Sequence, residues 1–336
     1  MNRFIARGAV GILLVLMALL PMGPVAGQLS PLDPACGMMA FSTEEDFITQ
    51  GPEPADGNPI ISDGDLLALA TDDAGNVSCI LCARNADLLQ NFDLVADLGL
   101  DAVDVVDTES YLVAFSTELN GPNFTQGDLL ATNGAVIPNR ALTWAWGQGA
   151  VGFDTGLDAV HFVGDPQAIS GLLSFLNDNP LTAPSQLSPM LEEAGLDILF
   201  STEAGWSVVG AASFLDGDLL SARDGVVVAA NSQLLPASVP AGIPDRGVDF
   251  GLDAFTTDRF GAKEQMRFST ELLFDGDTPF TDGDVLRSGD GIDLKNRDLV
   301  WCFEPKAEFL GLDALHVLGV QPQIQIYLPV IFRSYP

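Results

Sequence analysis

One cassette, written four times in the same order, constrains this chain more than any other feature. Each copy opens on Phe-Ser-Thr-Glu, starting at Phe41, Phe115, Phe200 and Phe268. A Gly-Asp-x-Leu signature starts at Gly64, Gly127, Gly217 and Gly283, and a Gly-Leu-Asp-Ala signature at Gly99, Gly156, Gly251 and Gly311. A unit of this size cannot bury an apolar face alone, so repeated units stack on one core. The 336 residues therefore read as one repeat domain rather than the two that length alone suggests. With 47% hydrophobic residues the chain has the means to fill that core, which argues against disorder.

Within each copy the apolar runs are short and bounded by turn residues. In the second copy they are Leu112–Ser116, Asp128–Thr132, Ala135–Ile137 after the turn Asn133-Gly134, and Asp158–Val163. The third copy repeats the order as Ile198–Ser201, Asp218–Ser221, the turn Asp224-Gly225, Val226–Ala229 and Asp253–Thr256. Short β-compatible runs separated by Asn-Gly or Asp-Gly are a strong hairpin signal. An Asn-x-x-Leu echo follows at Asn85, Asn139, Asn231 and Asn296, and an Asn fixed at one place in every copy reads as a turn or backbone-capping residue. The Pro-, Gly- and Asp-rich stretch from Gly51 to Ser62 reads as a loop. An insertion, residues 164–195, decorates the second copy. Its stretches 169–176 and 188–194 have helical composition, broken by Pro180, Pro184 and Pro189.

These patterns predict an all-β fold: a four-repeat β-propeller with four blades of about four strands. A β-sandwich or a pair of β-domains is the alternative. In the propeller the Gly-Leu-Asp-Ala strand is innermost, Phe-Ser-Thr-Glu second, Gly-Asp-x-Leu third, and the run after the turn outermost. The first copy then lacks its own inner strand, and the last, Gly311–Leu318, is free to pair with Met38–Ser42 and close the ring. An Asp-Ala strand opening each of four units, followed by a Phe-rich strand, is similar to the hemopexin-like four-bladed propellers, which implies the same architecture. The ending Ile326-Tyr327-Leu328-Pro329-Val330-Ile331-Phe332-Arg333 resembles the Tyr-Leu-Pro tails of secreted bacterial repeat proteins.

The two ends of the chain speak to its address. Arg3 and Arg7, the apolar run Ala9–Leu20 and the small residues up to Gly27 read as a secretory signal peptide, residues 1–27, cleaved near Gly27-Gln28. Residues 28–37 form a leader, 38–320 the repeat domain, and 321–336 a C-terminal tail. No later stretch has transmembrane character. The formal charge is −32, and loss of the signal peptide removes two Arg and no acid. Such a field repels nucleic acid and suits a protein exported to the medium or cell surface.

Catalytic motifs are scarce. The only histidines are His161 and His316, and no nucleophile elbow, P-loop, dinucleotide fingerprint or HExxH occurs. The repeated acids are more informative. Glu44, Glu118, Glu203 and Glu271 end the second strand of each copy, and Asp65, Asp128, Asp218 and Asp284 belong to Gly-Asp-x-Leu. Asp63, Asp216 and Asp282 precede that signature, with Gln126 in the second copy. Carboxylates two apart around a Gly resemble the start of calcium loops, so these residues form a candidate calcium set; a plain polar turn is the competing reading. The aspartates Asp101, Asp158, Asp253 and Asp313 either line a central channel or tie neighbouring units together. Three residues after each lie Asp104, His161, Thr256 and His316, a polar ring facing a solvent-lined channel, where His, His and Asp have the chemistry of transition-metal ligands. Four cysteines in an exported chain permit disulfides. A Cys36–Cys302 bridge across the seam is expected; the alternative joins Cys36 to Cys79 or Cys82 and leaves Cys302 to the other. The function expected is non-catalytic binding of a protein, glycan or surface ligand, stabilised by calcium. The alternative is an extracellular hydrolase using a carboxylate pair in a loop-built cleft.

Overall fold

The computed structural model describes residues 30–72, 74–147, 153–207, 212–241, 248–307 and 309–318. Residues 1–27, read from sequence as a signal peptide, and the Tyr-Leu-Pro tail lie outside the described residues. The strands are β1 (Met39–Phe41), β2 (Phe47–Ile48), β3 (Ile60–Ile61), β4 (Leu66–Thr71), β5 (Val77–Ala83), β6 (Val103–Asp107), β7 (Leu112–Phe115), β8 (Leu129–Ala131) and β9 (Val136–Ile137). They continue with β10 (Val160–Val163), β11 (Asp197–Phe200), β12 (Leu219–Ser221), β13 (Val226–Ala229), β14 (Phe255–Thr256), β15 (Arg267–Phe268), β16 (Val285–Arg287), β17 (Gly291–Leu294) and β18 (Leu315–Val317).

These strands form four antiparallel sheets of four, one per cassette, and a small β2-β3 hairpin. The second, third and fourth sheets run β6-β7-β8-β9, β10-β11-β12-β13 and β14-β15-β16-β17. The first runs β18-β1-β4-β5, because the last strand pairs with the first: Met39 with Val317, Ala40 with His316, Phe41 with Leu315. The leading strands touch one another in cyclic order, β6 against β10 and β18, and β14 against the same two. A repeated hydrogen bond follows that order. The cassette serine of each sheet donates its hydroxyl to the carbonyl of the cassette leucine of the next: Ser42 to Leu100 (3.0 Å), Ser116 to Leu157 (2.7 Å), Ser201 to Leu252 (2.6 Å) and Ser269 to Leu312 (3.3 Å). The last of these returns from the fourth sheet to the first.

Packing explains why the short strands hold. The cassette phenylalanines Phe41, Phe115, Phe200 and Phe268 are fully buried, as are the leucines of Gly-Leu-Asp-Ala. The apolar side chains fall into clusters that span neighbouring sheets, second with third, third with fourth, and first with fourth. A two- to four-residue strand is not stable alone, so this inter-sheet burial is what fixes it.

Sequence reading missed the short helices. Each Asn-x-x-Leu forms one helical turn: α1 (Asn85–Leu88), α2 (Asn139–Leu142), α5 (Asn231–Leu234) and α6 (Asn296–Val300). The insertion folds as α3 (Pro166–Asp178) and α4 (Leu187–Ala194). Asp165 caps α3 by accepting from the backbone of Gln167 and Ala168. Ile169, Leu172, Leu173 and Leu176 supply its buried stripe against the second and third sheets. Pro189 does not break α4, since it occupies the first turn, where no intrahelical N–H bond is needed. Within the leader, Pro34–Gly37 forms a 3₁₀ turn that buries Cys36.

The disulfides correct one expectation. Cys36 bonds Cys82 and Cys79 bonds Cys302, with Cα atoms 6.0 and 5.9 Å apart. The Cys36–Cys302 bridge is not formed: β5 brings Cys82 within bonding reach of Cys36 and Cys79 within reach of Cys302, the alternative pairing. Cys79–Cys302 still ties the first sheet to the segment following α6.

Candidate functional site

Each cassette letter has a local physical reason. The threonine after the serine closes a small turn by donating to the carbonyl two residues on, as Thr117 does to Leu119 (2.9 Å) and Thr270 to Leu272 (3.1 Å). The repeated Asn clamps the approach to Gly-Leu-Asp-Ala. Asn85 donates to the Gly99 carbonyl and accepts from the Leu98 N–H, both at 3.0 Å, and Asn296 does the same with Gly311 (2.8 Å) and Leu310 (2.9 Å). The capping role expected of it is therefore present. The glycine of Gly-Asp-x-Leu makes room for this clamp, since a Cβ at Gly217 would lie 2.5 Å from the Asn231 amide nitrogen.

The aspartates of Gly-Asp-x-Leu bind backbone. Asp128 accepts from the N–H groups of Thr125 (2.9 Å) and Asn139 (2.8 Å), and Asp284 from Thr281 and Asn296 (both 2.9 Å). Asp218 accepts likewise from Leu215 and Asn231, and Asp65 from Ser62 and Asn85. In all four, both carboxylate oxygens hold a turn to the start of the following helix.

The other repeated acids gather elsewhere. At the start of the leading strands Asp101, Asp158, Asp253 and Asp313 are at most 8% exposed, and Oδ2 of Asp101, Asp158 and Asp313 has no hydrogen-bond partner. Around them stand Glu118, Glu203, Glu271 and Glu44, open to solvent or half-buried. Each glutamate lies against the glycine that opens its own sheet's Gly-Leu-Asp-Ala. That glycine has φ between 68° and 74°, and a Cβ on it would sit 2.4–2.5 Å from the glutamate's Cδ. Only glycine satisfies both the left-handed backbone and the close approach. Ligand oxygens of Asp101, Asp158 and Glu203 lie within 4.8 Å of one another, as do those of Glu44, Asp253 and Asp313.

The residue before each Gly-Asp-x-Leu faces the glutamate of the next sheet. Gln126 donates to both carboxylate oxygens of Glu203 (3.0 and 2.9 Å). At the equivalent places Asp63, Asp216 and Asp282 add negative field to Glu118, Glu271 and Glu44. Among the described residues no Lys or Arg forms an ion pair with any of these acids. The electrostatic result is uniform. Burial, then neighbouring carboxylates, push Asp101, Asp158 and Asp253 well above the ordinary range and Asp313 to about 9. The same causes raise Glu118 and Glu271 to about 7. Asp249, beside Asp216, rises to about 7 through burial and the shared hydrogen bond with that carboxyl.

A second polar group sits three residues further along the leading strands. Asp104, His161, Thr256 and His316 come together as expected, but the ring is dry: all four are fully buried. The cause is Arg259, outside any cassette and without a sequence signal. Its guanidinium pairs with Asp104 and donates to the carbonyls of Phe162 (2.9 Å) and Val105 (2.8 Å). Asp104 also meets Nδ1 of His316 at 2.8 Å and accepts from the Phe162 N–H at 2.8 Å. Burial alone would raise the Asp104 carboxyl, but Arg259 and the imidazoles hold it far below its usual range. Neither nitrogen of His161 makes a hydrogen bond, although Nδ1 stands 3.6 Å from Asp104, and burial lowers its pKa to about 3. Asp104, His161 and His316 approach closely enough to ligate a metal, yet the charge of Asp104 is already offset by Arg259.

The calcium set drawn from sequence thus divides. Asp65, Asp128, Asp218 and Asp284 cap backbone. Glu44, Glu118, Glu203, Glu271, Asp63, Asp216 and Asp282 converge, and the residues innermost among them are the Gly-Leu-Asp-Ala aspartates. The groove between α3 and α4, the place for a loop-built cleft, is lined by Ala168, Leu172, Phe175, Gln186, Met190, Ala194 and one carboxylate, Glu193. No protein-family model, curated protein or solved structure matches this chain.

Proposed function

We infer that the chain is a secreted, non-catalytic repeat protein, a four-bladed β-propeller whose acidic face binds an extracellular protein, glycan or surface. The propeller reading is supported by the serine-to-leucine bonds running from sheet to sheet and back to the first, and by the pairing of β18 with β1. Two disulfides suit an oxidising compartment, and no described helix is long and apolar enough to cross a membrane.

One observation carries the binding reading. The residues repeated four times serve the frame or the acid cluster, whereas the segments that follow the glutamates differ in length and sequence and expose apolar side chains. Ile48, Leu119, Leu215, Leu272 and Leu273 all stand in these segments and are exposed. A constant frame bearing variable, partly apolar loops on one face is how repeat scaffolds present a binding surface. Asp249, raised to about 7, has counterparts Asp97 and Asp154 at the same place in the first and second copies, which favours a repeated structural position over a dedicated catalytic pair.

The test presents the immobilised protein to a glycan array and to a cell-envelope fraction. A Leu119→Ser/Leu273→Ser variant should keep the wild-type melting temperature and lose most of the captured signal. Release of shortened glycans by the wild type would overturn the reading in favour of hydrolysis, and capture unchanged in the variant would move the binding surface elsewhere.

A further inference from the structure

Most of the molecule's polar clusters have partners that explain them. The Asp104 group is neutralised by Arg259, and the Gly-Asp-x-Leu aspartates hold backbone N–H groups. The carboxylates at the start of the leading strands have no such account. Eight acids, two from each sheet, stand together with no described cation among them. Three aspartates, each more than nine-tenths buried, aim an oxygen into the cluster that nothing satisfies. A buried carboxylate oxygen without hydrogen bond or counter-charge is costly, and these three stand beside a fourth buried carboxylate, Asp253, which Ser269 Oγ meets at 3.2 Å. Yet the chain writes the pair four times and clears a left-handed glycine at each copy to seat the glutamate.

We propose that this cluster is a binding site for a hard divalent cation of the calcium class, with Asp101, Asp158, Asp253 and Asp313 as its floor and Glu44, Glu118, Glu203 and Glu271 as its rim. The donor set is oxygen only. The cysteines are in disulfides, and both histidines belong to the separate Asp104 group, so the soft or nitrogen donors that favour zinc or copper are missing from it. Two triads, Asp101 with Asp158 and Glu203, and Glu44 with Asp253 and Asp313, bring oxygens within 4.8 Å, which suits the adaptable coordination of calcium. The solvent-facing rim gives the ion a path inward. A cation at the first triad ties the second sheet to the third, and one at the second triad ties the fourth sheet to the first. This inference rests on the side-chain positions and stands apart from the identity of any binding partner.

The experiment compares melting of the full-length exported protein in EDTA and in millimolar calcium. Calcium at about a hundredfold above its dissociation constant should raise the wild-type melting temperature by about 5 °C or more. Asp158→Asn/Asp313→Asn keeps the shape and removes two carboxyl groups able to ionise onto a cation. It should melt at or above wild type in EDTA and lose the calcium shift. Asp218→Asn should melt lower in both conditions and keep the shift, because Asp218 holds backbone. If the double aspartate variant does not fold, Glu44→Gln/Glu203→Gln, the rim members of the two triads, should show the same loss. A wild-type melting temperature equal in EDTA and calcium overturns the proposal. So does a calcium shift that survives the ring variants and disappears in Asp218→Asn.

Discussion

Truncating the chain after Leu310 removes β18 and tests how far the fold depends on a strand that lies more than 270 residues from its partner in sequence. The deletion takes Leu312, Leu315 and Val317, each at most 2% exposed. At about 1.5–3 kcal/mol per buried aliphatic side chain, that is about 4–9 kcal/mol. It also takes the acceptors of Ser269 Oγ, of the Asn296 amide and of the Ser42 N–H, and the donor to the Met38 carbonyl. At about 1 kcal/mol each these add about 4 kcal/mol. Asp104 loses His316, and Met39 and Phe41 lose their cover. The total is comparable to the whole stability of a typical domain, about 5–15 kcal/mol. The truncated chain should therefore show no cooperative transition in scanning calorimetry under non-reducing conditions. Leu312→Ala, a milder version, should cost about 2–5 kcal/mol in urea unfolding. A truncated protein that melts cooperatively within a few degrees of the intact one would refute the argument that β18 completes the first sheet.

Three further outcomes follow from single features. Gly251→Ala forces a side chain onto a backbone with φ 69° and into contact with Glu271, so it should destabilise by about 1–3 kcal/mol in urea, whereas the exposed Gly171→Ala within α3 should stabilise by about 0.5–1 kcal/mol. His161 titrates at about 3 when folded and near 6.5 when unfolded, so the unfolded chain takes up its proton first and stability falls as pH drops through that window. Between pH 7 and 5 the wild type should lose about 2 kcal/mol more than His161→Gln, a comparison in which the raised carboxylates, acting in the opposite direction, cancel; equal losses would contradict it. Non-reducing peptide mapping should give Cys36 linked to Cys82 and Cys79 linked to Cys302, and a peptide pair carrying Cys36 and Cys302 would contradict the structure.

Much of the frame was legible because the cassette repeats. The alternation of apolar runs and Asn-Gly or Asp-Gly turns placed β7, β8 and β9 within about a residue, and the surplus Gly311–Leu318 pointed to its pairing with Met38–Ser42. The helical turns at Asn-x-x-Leu were not legible, since four residues carry no periodicity to separate helix from loop. At the acid cluster, the sequence showed that three classes of acid recur but not which of them face backbone. Spacing two apart around a glycine made Asp218 and its equivalents resemble ion ligands. The fold instead turns them toward N–H groups and brings Asp101, Asp158, Asp253 and Asp313 together from strands far apart in the chain. Arg259 was invisible because it occurs once, outside the repeat, and its role exists only when β6 and β10 lie side by side.

On the proposal above, the repeated cassette focuses its acids on one place to hold a hard cation. Crystals of the protein soaked in terbium, a calcium surrogate with strong anomalous scattering, test it most directly. The expected result is an anomalous peak bounded by the carboxylates of Asp101, Asp158, Asp253 and Asp313. Peaks only at the turns of Asp65, Asp128, Asp218 and Asp284, or none at the ring in crystals that bind terbium elsewhere, would contradict it.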